Sequence, residues 1–134
     1  MRLAAIRGRG CGGTIALVRL TVLIVDDHAG FRVAARTLLE AEGFSVVGEA
    51  GDAAQAMSET ARLRPDVVLL DIQLPGQDGF VVAERLAHCP HPPVVVLISS
   101  RDASTYGQRL AGTPARGFLP KRALSGAALA QLVG

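Results

Sequence analysis

Four short apolar runs in this 134-residue chain each lead into polar residues that can do chemistry. Residues 20–25 (LTVLIV) run into Asp26-Asp27, residues 66–70 (DVVLL) into Asp71, residues 94–98 (VVVLI) into Ser99-Ser100, and residues 117–119 (GFL) into Pro120-Lys121. If these runs are parallel strands of one sheet, Asp26, Asp27, Asp71, Ser99 and Lys121 gather where open α/β sheets bind ligands, at the carboxyl ends. Three carboxylates set close together repel, and each has its pKa raised unless a cation sits among them. Oxygen-only donors favour a hard cation, Mg²⁺ or Mn²⁺, which keeps several waters and leaves a position for a phosphate oxygen. Asp71, ionised without help from a base, can then act as a nucleophile and form an acyl phosphate. The Lys121 ammonium and the Ser99 hydroxyl would hold the other phosphoryl oxygens. The constellation has the chemistry of a phosphoryl acceptor. A plainer reading, in which Asp26 and Asp71 only cap the helices that follow, leaves Ser99 and Lys121 unexplained.

Such a cleft needs strands and helices in alternation. After the first run, Phe31, Ala34, Ala35, Leu38 and Leu39 recur at helical spacing, and Gly43 stands where a C-terminal cap belongs. Residues 45–50 form a second strand. Asp52 begins a helix, Gln55 completes a capping box, and Pro65 closes the segment. Residues 79–88 are helical, with Phe80, Ala83 and Ala87 on one face. In 101–114, Tyr106, Leu110 and Ala111 share a helical face that Gly107 and Gly112 interrupt. Ser125 caps a last helix carrying Leu124, Ala128 and Leu132. Five strands, each followed by a helix, predict a flavodoxin-like doubly wound (βα)5 fold. Its parallel sheet has order 2-1-3-4-5, with helices on both faces.

Composition narrows the class further. At 49% hydrophobic and 19% charged, the chain can bury a core. Aromatics at 4%, with no Trp and one Tyr, argue against a stacking platform for single-stranded nucleic acid. Cys11 and Cys89 frame neither a disulfide scaffold nor a four-ligand zinc site, which points to a reducing cytoplasmic setting. The net charge of +2 divides unevenly: Arg2, Arg7, Arg9 and Arg19 make the first 19 residues +4, and ten basic against twelve acidic residues leave the rest at −2. No apolar run reaches the roughly 18 residues of a membrane span, since Arg19 breaks the longest candidate. No small-residue cleavage site follows an uninterrupted apolar core.

With the motifs in view, the chain resembles the receiver domain of two-component response regulators. The Asp26-Asp27 pair, the segment from Asp71 to Gly79 (DIQLPGQDG), Ser99 and Lys121 carry the resemblance, which covers about residues 18–134. Asp26-Asp27-His28 and Val46-Val47-Gly48-Glu49-Ala50 look most like receivers attached to LuxR-type DNA-binding domains. The resemblance implies that Asp71 is the phosphoacceptor, charged by a histidine kinase or phosphotransfer protein. It implies a metal site of Asp26, Asp27, Asp71 and the Gln73 backbone carbonyl. Ser99 takes the position of the switch hydroxyl, Phe118 that of the switch aromatic, and Lys121 that of the phosphate-contacting lysine. Such a domain catalyses its own phosphorylation and dephosphorylation and turns over no separate substrate. Phe118 lacks the hydroxyl of the commoner Tyr, so a switch there rests on ring packing alone.

The remaining features have plainer readings. His28 is an exposed loop residue beside the acidic pair, and His88, Cys89 and His91 lie in a proline-stiffened connection. Residues 8–13 (GRGCGG) satisfy G-x-G-x-x-G, but no strand precedes them and no helix follows, so a dinucleotide site fails its context. Residues 1–17 form a basic, disordered leader, and translation beginning at Val18 would make them a gene-calling artefact; residues 18–134 are the receiver. The expected partners are the phosphodonor, a downstream protein of unknown identity and a second copy in a homodimer, with no membrane. No DNA-binding domain is expected: the chain reads as a stand-alone receiver or one cut from a longer regulator. The competing function is a phosphorylation-independent interaction or dimerisation module.

Overall fold

The computed structural model describes residues 4–6 and 17–134. Val22, Leu23, Ile24 and Val25 are fully buried, because the first strand of the main sheet, β1 (Thr21–Val25), has neighbours on both edges and helices on both faces. Its partners are β2 (Ser45–Ala50), β3 (Val67–Asp71), β4 (Val94–Ser99) and β5 (Gly117–Pro120). All pair in parallel, in the order β2-β1-β3-β4-β5. Between them run α1 (Ala29–Ala41), α2 (Ala53–Leu63), α3 (Gly79–Ala87) and α4 (Gln108–Gly112), and α5 (Gly126–Val133) follows β5. This is the doubly wound, flavodoxin-like (βα)5 arrangement with order 2-1-3-4-5.

Strand side chains alternate between faces with a period of two residues, and the core divides accordingly. Val22, Ile24, Val67, Leu69, Val96 and Ile98 pack with Ala35 and Leu39 of α1, Phe44, and Leu129 of α5. On the opposite face Leu23, Val25, Val68, Leu70, Val95 and Leu97 pack with Ala53 and Ala56 of α2 and with Phe80, Ala83 and Leu86 of α3. Burial on both faces explains why the strands are continuous apolar runs.

Local signals placed the helix ends well. Asp52 accepts the Gln55 N–H at 2.8 Å, while the Gln55 side chain reaches past Asp52 to the Gly51 N–H. Gly43, at φ 102°, takes the left-handed turn after α1 that a side chain would resist. Ser125 accepts the Ala128 N–H and caps α5. Three expectations about faces need correction. Ala34 is exposed, because α1 turns Ala35 and Leu39 inward. In α5 the fully buried residue is Leu129, outside the expected stripe, while Leu124 and Leu132 of that stripe pack against the same cluster. Residues 101–114 hold one 3₁₀ turn, Ala103–Thr105, and the five-residue α4; Gly107, at φ 54°, separates them.

Two small ribbons complete the fold. Gln73–Leu74 pairs antiparallel with Gln77–Asp78 around Gly76, directly after Asp71. Ala4–Ile6 pairs antiparallel with Leu17–Arg19, so a strand does precede the tract at 8–13, contrary to expectation, and the next described element after it is again a strand and not a helix. Residues 1–3 and 7–16, including the glycine-arginine tract at 8–13, lie outside the described residues.

Candidate functional site

Parallel pairing brings the strand ends level. Asp71 is the last residue of β3 and pairs with Ile98; Ser99 is the last of β4 and pairs with Pro120. Asp26 follows β1 and donates its N–H to Ala50 O at 3.0 Å. Lys121 follows β5 and reaches back across the sheet end to both buried aspartates. Its Nζ stands 2.6 Å from Asp26 Oδ2 and 3.1 Å from Asp71 Oδ2. The same ammonium lies 4.7 Å from the centre of the Phe31 ring, an aromatic face that favours a cation.

Each carboxylate is also held by backbone. Asp71 Oδ1 accepts the Gln73 N–H at 2.9 Å, and Asp26 Oδ1 accepts the His28 N–H at 2.8 Å. Asp26 Oδ2 is different: it is buried and receives no aligned hydrogen bond, only the nearby charge of Lys121. Burial is the main reason the Asp71 carboxyl is pushed up to about 6. The Gln73 N–H opposes the rise, the charge of Asp26 adds to it, and Lys121 opposes it again. For Lys121 burial pulls the pKa down, yet the two aspartates outweigh it and the net shift is upward. Two buried carboxylates therefore share one ammonium, and the pocket is short of positive charge.

That deficit is what a divalent cation would relieve, and the donors fit one. Oxygens of Asp26, Asp27 and Asp71 and a ring nitrogen of His28 all lie within 4.8 Å of one another. Carboxylate oxygens in this number suit Mg²⁺ or Mn²⁺. His28 was expected to be only a loop residue. It is 71% exposed, but its Nδ1 lies 3.1 Å from Asp27 Oδ1 and 3.3 Å from Asp26 Oδ1. His88 Nδ1 and Cys89 Sγ instead contact the carbonyls of Glu84 and Arg85 at the end of α3.

Four neighbours of the site were not anticipated as such. Arg32 of α1 donates through Nη1 to the Asp26 carbonyl at 2.6 Å and through Nε to Glu49 at 3.0 Å. Arg36, one helical turn on, donates to the other Glu49 oxygen at 2.9 Å. Phe31 supplies the ring beneath Lys121. Tyr106 places its hydroxyl 2.6 Å from Ser99 Oγ, with its ring centre 6.0 Å from that of Phe118. Phe118 itself has no hydroxyl; the phenol beside Ser99 comes from residue 106, not from β5.

Cavity space does not compete with this pocket. A cleft of about 530 Å³ lined by Arg64, Pro65, Val67, His91 and Val94 lies at the opposite, amino-terminal end of the strands.

An acidic pocket with one lysine, at the carboxyl end of a doubly wound parallel sheet, defines a class of signalling domain. Residues 22–133 match the family described as response regulator receiver domain, and the chain belongs to that family. A protein of Pseudomonas aeruginosa named as a transcriptional regulator is 38% identical over 101 residues, covering 75% of this chain and 49% of its own. The DNA-binding transcriptional activator EvgA of Escherichia coli K12 is 28% identical over 103 residues, covering 77% of this chain and 50% of its own. Among solved structures, the signal receiver domain described as that of the response regulator NarL from Mycobacterium tuberculosis has a TM-score of 0.75 at 34% identity, over 86% of this chain and 93% of that one. A LuxR-family two-component response regulator from Aurantimonas sp. SI85-9A1 has a TM-score of 0.74 at 27% identity, over 84% and 81%.

These relatives correct the expectation that no DNA-binding domain belongs with this receiver. The chain spans about half the length of the curated relatives it matches, and they are named as transcription regulators. No helix among the described residues is long and apolar enough to cross a membrane.

Proposed function

We propose that Asp71 accepts a phosphoryl group from a phosphohistidine on a histidine kinase or phosphotransfer protein, and that the modified receiver controls an output domain. One observation carries this reading: two buried carboxylates, Asp26 and Asp71, converge on the single ammonium of Lys121 at 2.6 and 3.1 Å. A purely structural site gains little by burying two like charges, whereas a phosphoryl acceptor needs this set.

Asp71 and Asp26, with Asp27 and the Gln73 carbonyl, would hold Mg²⁺ or Mn²⁺, which when bound offsets the charge of the acceptor and of the incoming phosphoryl oxygens. An Asp71 oxygen attacks phosphorus in line as the N–P bond of the phosphohistidine breaks. The electron pair returns to the imidazole nitrogen, and one proton taken up by the ring leaves it neutral. Lys121 then pairs with a phosphoryl oxygen and the Ser99 hydroxyl donates to another, which draws the ends of β4 and β5 toward Asp71. Phe118, opposite Leu97 on the neighbouring strand, packs with the Tyr106 ring beside the Ser99 hydroxyl. The domain thus catalyses its own modification and its reversal. By likeness to its relatives, the output is transcription through a DNA-binding domain.

Intact mass after incubation with Mg²⁺ and acetyl phosphate tests the reading. Gain of one phosphoryl group in the wild type and none in Asp71→Asn is the expected result. No gain in a wild type shown to bind Mg²⁺ would favour a phosphorylation-independent interaction module.

A further inference from the structure

Ser99 Oγ is fully buried and has two neighbours: the Arg101 N–H donates to it at 3.0 Å, and the Tyr106 hydroxyl lies 2.6 Å away. A serine hydroxyl has one proton to give and two lone pairs to receive with. If Ser99 donates to a phosphoryl oxygen, its remaining capacity is two acceptor positions, and these match the Arg101 N–H and the Tyr106 O–H. Tyr106 can therefore stay bonded to Ser99 as the donor while Ser99 turns toward Asp71.

The Tyr106 ring sits between two others, 5.7 Å from Phe80 of α3 and 6.0 Å from Phe118 of β5. Elsewhere the segment around it is tied to α3 through Arg109, which pairs with Asp78 and lies 4.2 Å from the centre of the Phe80 ring. Ala103, Ser104, Thr105, Gly107, Gln108, Arg109, Ala111 and Gly112 are exposed, and only Tyr106 and Leu110 of this stretch pack against the core. Gly107 at φ 54° on one side of α4, and Gly112 at its end, keep the helix to five residues.

We infer that Tyr106 is a positioning residue that carries the state of Ser99 to the segment 103–112. This rests on the phosphoacceptor reading of Asp71 and goes beyond it by naming the outgoing route. As Ser99 Oγ moves to the phosphoryl oxygen, the phenol follows it. The ring slides against Phe80 and Phe118, and the segment holding α4 shifts with it. Phe118 is then packing for a moving neighbour, and the hydroxyl that senses the site belongs to the loop after β4.

The chain supplies its own probe, since it has one Tyr and no Trp. The tyrosine band of the near-ultraviolet difference spectrum on adding Mg²⁺ and acetyl phosphate, at longer wavelength than the absorption of the four Phe, reports Tyr106 alone, and intact mass gives the phosphorylated fraction to which it is normalised. The wild-type tyrosine band is expected to shift in proportion to that fraction. Peptide hydrogen exchange across 103–113 should change several-fold per phosphoryl group in the wild type and lose most of that change in Tyr106→Phe, which keeps the ring. A phosphorylated wild type with no tyrosine shift overturns the inference, as does an equal exchange response in Tyr106→Phe. No mass gain in the wild type overturns both the inference and the reading beneath it.

Discussion

Asp71 lies buried beside a second buried carboxylate, and one ammonium serves both. Its pKa of about 6 exceeds the usual aspartate value of 3.8, so the folded state holds this proton more tightly than the unfolded chain does. The stability this group contributes is present in full below pH 3.8 and is lost as pH rises through about 6. Without divalent cation, Asp71→Asn should therefore be more stable than the wild type at pH 7.5, by on the order of 2 kcal/mol. The gap should shrink toward pH 5. Urea unfolding in a chelating buffer at both pH values checks this, and equal stability at pH 7.5 would contradict it. The identities of Asp26, Asp71, Ser99 and Lys121 were legible because each ends or follows an apolar run. Tyr106 was not legible as a partner of Ser99, since no local spacing rule says where a phenol seven residues away will point.

Between elements, α1 is tied to the ends of β1 and β2 by Arg32, Arg36 and Glu49. The hydrogen bond from Arg36 is the main reason Glu49 is held below the usual value of 4.5; burial opposes it, and Arg32 adds to the lowering. A lowered folded pKa means stability that is present above about 4.5 and lost as pH falls through the lower, folded value. Glu49→Gln should cost below about 1 kcal/mol at neutral pH, as partly exposed ion pairs do, and should flatten the acid limb of the stability profile below pH 4.5. Thermal melts from pH 7 down to pH 3 would show it; a parallel offset at every pH would argue against a titrating role. The turn chemistry at Gly43, Asp52 and Ser125 was readable because caps depend on adjacent residues. The inward face of α5 was readable only in part: Leu124 and Leu132 pack against the core as the spacing predicts, but the fully buried Leu129 is fixed by how the helix seats on the sheet.

Across the whole molecule, the order β2-β1-β3-β4-β5 sets Asp26 and Asp71 on adjacent central strands and brings Lys121 in from the edge. A cation taken up at the shared pocket would bind only the folded chain, so its effect should appear as global stability. Mg²⁺ at about a hundredfold excess over its Kd should stabilise the wild type by roughly 2.7 kcal/mol. In Asp26→Asn the Tm should respond weakly to Mg²⁺ over the same concentrations, and a rise as large as that of the wild type would remove Asp26 from the proposed ligand set. The order of strands and the residues at their ends follow from local pattern: β-branched runs, caps, and the handedness that parallel crossovers obey. The finer contacts do not. Lys121 bridging Asp26 and Asp71, Arg32 on the Asp26 carbonyl, and Tyr106 on Ser99 join residues through helix packing and rotamer choice. Those are settled only when the two faces of the sheet are filled, because the depth of each side chain depends on every neighbour packed around it.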